Sequence, residues 1–166
     1  MMKKLLILRH AKSSWDNPNL ADYDRPLNKR GKHDAPRMGE HILKQNLVPD
    51  RILTSSAKRA RKTATQVAKA CNFAGKIKKL DKFYHAPFGV YLEALQTVSN
   101  KHECVMVVGH NPTMEHLTRH LTNEIVTMPT AALAHIELPI QHWDSLEFHI
   151  RGKLVNFWIP KTLFTD

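Results

Sequence analysis

Short apolar runs alternate along the chain with longer amphipathic stretches. Residues 4–8 form a continuous apolar run, as expected of a strand buried on both faces. Residues 11–27 are polar, contain Pro18 and Pro26, and read as a loop. A helical pattern covers about residues 28–45. Within it, Asp34 as a cap and Pro36 in the next turn predict a kink or restart. Residues 51–54 form a second short strand. Residues 57–71 combine good helix formers with apolar positions at Ala60, Ala64, Val67, Ala68 and Cys71, and read as a helix. Residues 76–80 are a third strand, more polar and therefore placed near an edge. The spacing of Val90, Leu92, Ala94, Leu95 and Val98 predicts a helix over 90–98. Residues 104–108 are the most hydrophobic strand, ended by Gly109. Met114, Leu117 and Leu121 share one face of a predicted helix over 113–121. The character then changes. Residues 132–138 and 145–150 alternate or run apolar, and Arg151-Gly152 reads as a tight turn into 154–159.

Strand–helix repeats with a β-rich end predict an α/β protein. The expected form is a three-layer sandwich around a mainly parallel central sheet with an antiparallel edge. A length of 166 residues, 42% hydrophobic and 24% charged, suits one globular domain over residues 1–166 and excludes a mostly disordered chain. The run Leu5-Leu6-Ile7-Leu8 is far shorter than the ~7–15 residues of a signal-peptide core or the ~20 of a membrane span, so no membrane association is expected. Cys71 and Cys104 lie in apolar contexts and read as buried free thiols of a cytoplasmic protein. Trp143 and Trp158 read as core.

Charge adds the first hint of chemistry. Residues 1–82 carry 20 Lys and Arg against 7 Asp and Glu, whereas residues 83–166 carry 5 against 8. The first half is built to meet anions: a phosphorylated substrate, an acidic protein or nucleic acid. Most of these lysines also suit a merely solvated surface. The cluster Lys58, Arg59, Arg61 and Lys62 resembles a nucleic-acid patch, but helical spacing splits it over two faces and no nucleic-acid motif accompanies it. No nucleic-acid partner is expected.

In open α/β sheets, sites form beyond the carboxyl ends of strands. The first apolar run leads into Arg9 and His10. The second leads into Ser55, Ser56 and, one helical turn on, Arg59. The fourth leads into Gly109, His110, Asn111 and Pro112. Two histidines and two arginines at equivalent places form a coherent set. Arginine forks suit phosphate oxygens. A neutral histidine can attack phosphorus, and neighbouring arginines disfavour its imidazolium form while stabilising a transferring phosphoryl group. No metal or cofactor is needed. His116 and His120, four apart on a helix, lack the further ligands a metal site requires. Ser55 and Ser56 lack a G-x-S-x-G elbow, which argues against a serine nucleophile.

At these residues the chain resembles the histidine phosphatase superfamily, the phosphoglycerate-mutase-like group. Leu8-Arg9-His10-Ala11 is similar to its R-H-G/A signature. The segment from Ser55 to Ala64 is similar to S-S-x-x-R-A-x-x-T-A, and Gly109-His110-Asn111-Pro112 to G-H-x-P. Arg25-Pro26-Leu27 with Gly31 resembles R-P-L-x-x-x-G of the small branch, which includes phosphatases of phosphohistidine on signalling phosphotransfer domains. The resemblance spans roughly residues 4–138. It implies a phosphoglycerate-mutase-like fold. It also implies transient phosphorylation of His10, and a phosphate held by Arg9, Arg59 and His110. Arg25 and Asn111 are implied at the substrate-binding border.

The resemblance also exposes a departure. Many members place a general-acid Glu after the third strand, where this chain reads Asp81-Lys82-Phe83-Tyr84-His85. His85, or Asp22 in the 11–27 loop, is the candidate donor instead. A missing acid suits imidazole as leaving group better than an alkoxide, and no long insertion roofs the site. The expected function is thus a phosphatase for protein phosphohistidine. The alternatives are a small-molecule phosphomonoesterase or mutase of the same superfamily, and a non-catalytic basic module that binds anions or nucleic acid. Oligomeric state is not readable from the chain.

Overall fold

The computed structural model describes residues 2–164. Its strands are β1 (Lys3–Arg9), β2 (Arg51–Ser55), β3 (Ile77–Leu80), β4 (Cys104–Gly109), β5 (Leu133–Leu138) and β6 (Lys153–Trp158). Its helices are α1 (Lys29–Lys44), α2 (Lys58–Ala70), α3 (Phe88–Gln96), α4 (Thr113–Thr122) and the short α5 (Pro160–Leu163). The strands form one sheet in the order β3-β2-β4-β1-β5-β6. β3, β2, β4 and β1 pair in parallel, while β5 and β6 pair antiparallel to their neighbours. This is the expected α/β arrangement with its antiparallel edge, and the polar strand β3 lies at the other edge.

Alternation within the apolar strands explains the layers. Leu5, Ile7, Leu53, Val105 and Val107 face one hydrophobic cluster, with Leu92 and Leu95 of α3 and Met114, Leu117 and Leu121 of α4. Leu6, Leu8, Ile52, Met106 and Val108 face the other, with Ala35, Met38 and Ile42 of α1 and Ala60, Ala64 and Val67 of α2. Central strands covered on both faces must be apolar throughout, which is why they were readable as unbroken runs. Among the described residues, no helix is long and apolar enough to cross a membrane.

Two sequence expectations are corrected. α1 runs unbroken from Lys29 to Lys44, past Pro36. Its cap is Asn28, whose side chain accepts from the Gly31 amide. Asp34 is buried within the helix and pairs with Arg30 at 3.6 Å. Packing of the α1 face against the sheet and α2 outweighs the one backbone hydrogen bond that Pro36 cannot donate. Residues 145–150 form no strand, and Arg151-Gly152 joins no hairpin. Residues Trp143–Ser145 make a 3-10 turn, and Trp143 and Leu146 fill the core beside α3. β6 instead pairs with β5. The 143–146 segment finds its polar partners in side chains: Gln96 donates to the Leu146 carbonyl at 2.6 Å, and Asn100 accepts the Trp143 amide at 2.6 Å. Trp143 is core as expected, whereas Trp158 is only partly buried and lies edge-on to His41.

The loop between β1 and α1 closes on itself. Ser13 bridges Leu27, the Ser14 amide donates to the Pro26 carbonyl at 2.8 Å, and the Asn28 amide to the Lys12 carbonyl at 2.9 Å. The first turn of α1 passes so near Lys12 that a Cβ on Gly31 would collide with the Lys12 backbone. Gly31→Ala is therefore expected to destabilise the fold by about 1–3 kcal/mol, as overpacking does, measurable by urea denaturation.

Candidate active site

Strand register brings the chemistry together. Arg9 is paired with Gly109 across β1 and β4, so His10 and His110 leave adjacent strands side by side, with ring centroids 5.2 Å apart. Thr54 is paired with Val108, which sets Ser55 next to Gly109; the Ser55 hydroxyl lies 2.8 Å from His110 Nε2. α2 starts just beyond β2, and Arg59 in its first turn points back to the same place. A pocket of about 330 Å³ at these strand ends is lined by Arg9, His10, Arg25, Arg59, His110 and Asn111, with Lys12, Ser13, Trp15 and Thr130 completing its wall. The basic cluster of α2 is split by the helix: Arg59 is buried in the pocket wall, while Lys62 faces solvent. His120 packs between Phe88 and Phe148, and among the described residues no group of three or more His, Cys, Asp or Glu could hold a metal.

His10 is 6% exposed, and its Nδ1 lies 2.7 Å from the Ala11 carbonyl. A carbonyl only accepts, so the ring proton sits on Nδ1 and Nε2 carries the lone pair. Thr63 fixes this corner. Its hydroxyl accepts the Ala11 amide at 3.0 Å and donates to the Arg59 carbonyl at 2.7 Å. Burial is the main cause that drives the His10 pKa down to about 3; His110, Arg59 and Arg9 add to it, against the Ala11 hydrogen bond. Burial likewise takes His110 down to about 4, helped by Arg59, His85 and Arg9 and opposed by Asp22. The sequence assigned this neutrality to the arginines; desolvation outweighs them.

These two shifts make stability depend on pH. An unfolded histidine titrates near 6.5, so below that pH the unfolded chain binds protons that the folded chain refuses. Stability therefore falls as pH drops from 6.5, by about 1.4 kcal/mol per pH unit for each histidine, until about pH 4 for His110 and about pH 3 for His10. Urea melts at pH 7, 6, 5 and 4 should show this slope, flattened by one histidine's share in His10→Asn.

Arg9 donates to the Met128 carbonyl at 2.9 Å, and its Nε is buried with no protein partner. Asn111 Nδ2 donates to the same carbonyl at 2.8 Å, so its side chain braces the 128–130 segment. Arg59 donates to the Asp22 carbonyl at 2.7 Å and to Asp22 Oδ2 at 2.9 Å. Asp22 also accepts from Arg25 at 3.1 Å and from the Tyr84 hydroxyl at 2.5 Å. Burial works against its anion, but donors from Tyr84, Arg59 and Arg25 outweigh that and hold the carboxyl well below the usual carboxylate range. Both oxygens of the Asp22 carboxylate are thus engaged, Oδ1 by Arg25 and Oδ2 by Arg59 and Tyr84. Arg25 lines the pocket, but its nitrogens are engaged by the Ser14 carbonyl, Asp22 and the Ser13 hydroxyl. His85 is exposed, has φ 56°, and lies against Tyr84 at 3.9 Å between ring centroids, outside the residues that line the pocket.

Sequence reasoning missed Ser55, Thr63, Tyr84 and Trp15 as site residues. Ser55 and Thr63 stand in the matched motif, but His110 and Ala11, which they meet, lie just beyond β4 and β1. Trp15 carried one signal, a large aromatic in an otherwise polar loop.

Comparisons with known proteins agree with this architecture. The model of the histidine phosphatase superfamily (branch 1) matches residues 5–93. The chain is 30% identical over 151 residues to an uncharacterised chloroplastic protein of Arabidopsis thaliana, covering 86% of this chain and 69% of that one. The putative phosphohistidine phosphatase SixA from Agrobacterium tumefaciens matches with a TM-score of 0.81 at 31% identity, over 96% of this chain and 99% of that one. The protein histidine phosphatase SixA in complex with tungstate matches in fold with a TM-score of 0.83 at 24% identity, over 96% and 99%. The chain belongs to branch 1 of the histidine phosphatase superfamily.

Proposed function

We propose that this protein is a phosphatase that works through a phosphohistidine on His10 and removes phosphate from protein phosphohistidine. The observation that carries the reading is the state of His10: buried, neutral, with its proton held at Nδ1 and its Nε2 lone pair available beside Arg9, Arg59 and His110. Superfamily membership and the likeness to SixA support phosphatase activity.

In the first step His10 Nε2 attacks phosphorus, the bond to the leaving group breaks in line, and the leaving group takes that electron pair. In the second, water attacks phosphorus, the P–N bond breaks with its electron pair returning to His10 Nε2, and one proton of the water passes to bulk solvent, so that phosphate and neutral His10 are released. Arg9 and Arg59 offset the charge spread over the transferring oxygens, and the neutral His110 adds a hydrogen-bond donor. The Ser55 hydroxyl fixes the His110 ring. Asp22 acts as a clasp that joins Arg59 and Arg25 to Tyr84 and keeps the 11–27 loop against the site. Among the described residues, no carboxylate lines the pocket. That favours a substrate whose leaving group needs little protonation. Imidazole departs as a neutral molecule once its distal nitrogen is protonated, whereas an alkoxide needs a positioned acid. A cytoplasmic setting accords with the two buried free thiols.

The test is a panel of phosphohistidine, phosphoserine and phosphotyrosine peptides and small phosphate esters, compared by kcat/KM. The phosphohistidine peptide should lead. A small ester turned over faster than every peptide would replace this reading with a small-molecule phosphomonoesterase.

A further inference from the structure

Trp15 lines the same pocket while 72% exposed, and it belongs to neither hydrophobic cluster. One exposed aromatic is ordinary on a protein surface; Trp15 is set apart by its place beside the phosphate-binding residues and by what it rests on. Its inner face lies on the Arg25 guanidinium, 3.3 Å from the ring centroid. Arg25 is itself buried and tied to the Ser14 carbonyl, Asp22 and the Ser13 hydroxyl, at 3.0, 3.1 and 2.6 Å. The indole thus rests on a fixed support within the pocket wall and leaves most of its surface open to solvent. Its ordering is complete before any ligand arrives, which is what a preorganised contact requires.

We propose that Trp15 is the stacking platform for a planar ring carried by the phosphoryl group, and so a specificity residue that favours aromatic over alkyl phosphoryl compounds. The inference rests on the reading of His10 as nucleophile. In-line displacement places the leaving group opposite His10, which lies on the pocket floor, so a ring bonded to phosphorus extends toward the mouth. The cations Arg9 and Arg59 select the phosphoryl group without regard to what carries it. An aromatic face selects planarity. Imidazole of phosphohistidine and phenol of phosphotyrosine share that chemistry.

The experiment uses the full chain and two inert probes, phenylphosphonate and methylphosphonate, whose dissociation constants are measured by calorimetry in wild type, Trp15→Ala and Trp15→Phe. Wild type should prefer the phenyl compound by about threefold to tenfold, as expected of an added aromatic pair. The preference should vanish in Trp15→Ala and largely return in Trp15→Phe. Equal weakening of both probes in Trp15→Ala would show that Trp15 only braces Arg25, and would overturn the proposal. So would an unchanged preference. Kinetics separate ring-bearing substrates from a ring-free one, and wild-type kcat/KM for the two peptides decides between imidazole and phenol. In Trp15→Ala, KM should rise for phosphohistidine and phosphotyrosine peptides but not for acetyl phosphate. A wild type inactive on phosphohistidine would defeat the proposed substrate while leaving the probe-binding result to decide the platform.

Discussion

His10→Ala should fold and should have no measurable turnover. Removing a covalent nucleophile deletes the pathway rather than weakening it, and the expected fall in kcat is at least about 10³-fold. The fold should survive because the β1 ladder on both sides of the site is unaffected: Arg9 stays paired with Gly109, and the backbone amide of residue 10 still donates to the Gly109 carbonyl. The Ala11 carbonyl loses its ring partner, at a cost of about 1–3 kcal/mol, which a denaturation curve will resolve without loss of the native state. Two measurements check the assignment. Wild type briefly mixed with a labelled phosphoryl donor and quenched in base should carry label on His10, and the variant should carry none. Arg59→Ala should keep the label but lose about 10²–10³ in rate, the usual value of one transition-state donor. More than a tenth of wild-type activity in His10→Ala would show that another residue attacks.

How far the sequence reached depended on whether a residue's environment was local. The central strands were legible because both faces of each are covered by helices, which leaves no polar position in β4 or in most of β1. The end of a strand is equally local, so the placement of Arg9, His10, Arg59 and His110 could be anticipated from the apolar runs and the residues directly after each. Pro36 misled because its penalty is local while its compensation, the packing of Ala35, Met38 and Ile42 on the sheet, is not. Residues 145–150 misled because apolar alternation also describes a segment that only covers a core. The role of Asp22 was the least legible. Nothing near it in the chain reveals that Arg59 and Tyr84, 37 and 62 residues away, will converge on its carboxylate.

The sharpest consequence of that convergence concerns leaving groups. In the proposed reading Asp22 serves as the anion that holds Arg59, Arg25 and Tyr84, and no strong proton donor acts on the leaving group. The rate should therefore depend steeply on leaving-group basicity: phosphoramidates and activated aryl phosphates fast, simple alkyl phosphates slow, over several orders of magnitude in kcat/KM. A positioned acid would flatten the series by neutralising the departing oxygen in the transition state. The same series in two variants separates the roles. His85→Ala should leave the slope unchanged. Asp22→Asn keeps the shape of the side chain but weakens the grip on Arg59, so it should lower every substrate by a similar factor and leave the slope unchanged. It should also raise the inhibition constant of inorganic phosphate, because Arg59 is less well placed to meet it. A wild-type series that is flat, and that turns steep in either variant, would identify that residue as the acid and defeat the preference for phosphohistidine; in Asp22→Asn it would defeat the clasp as well.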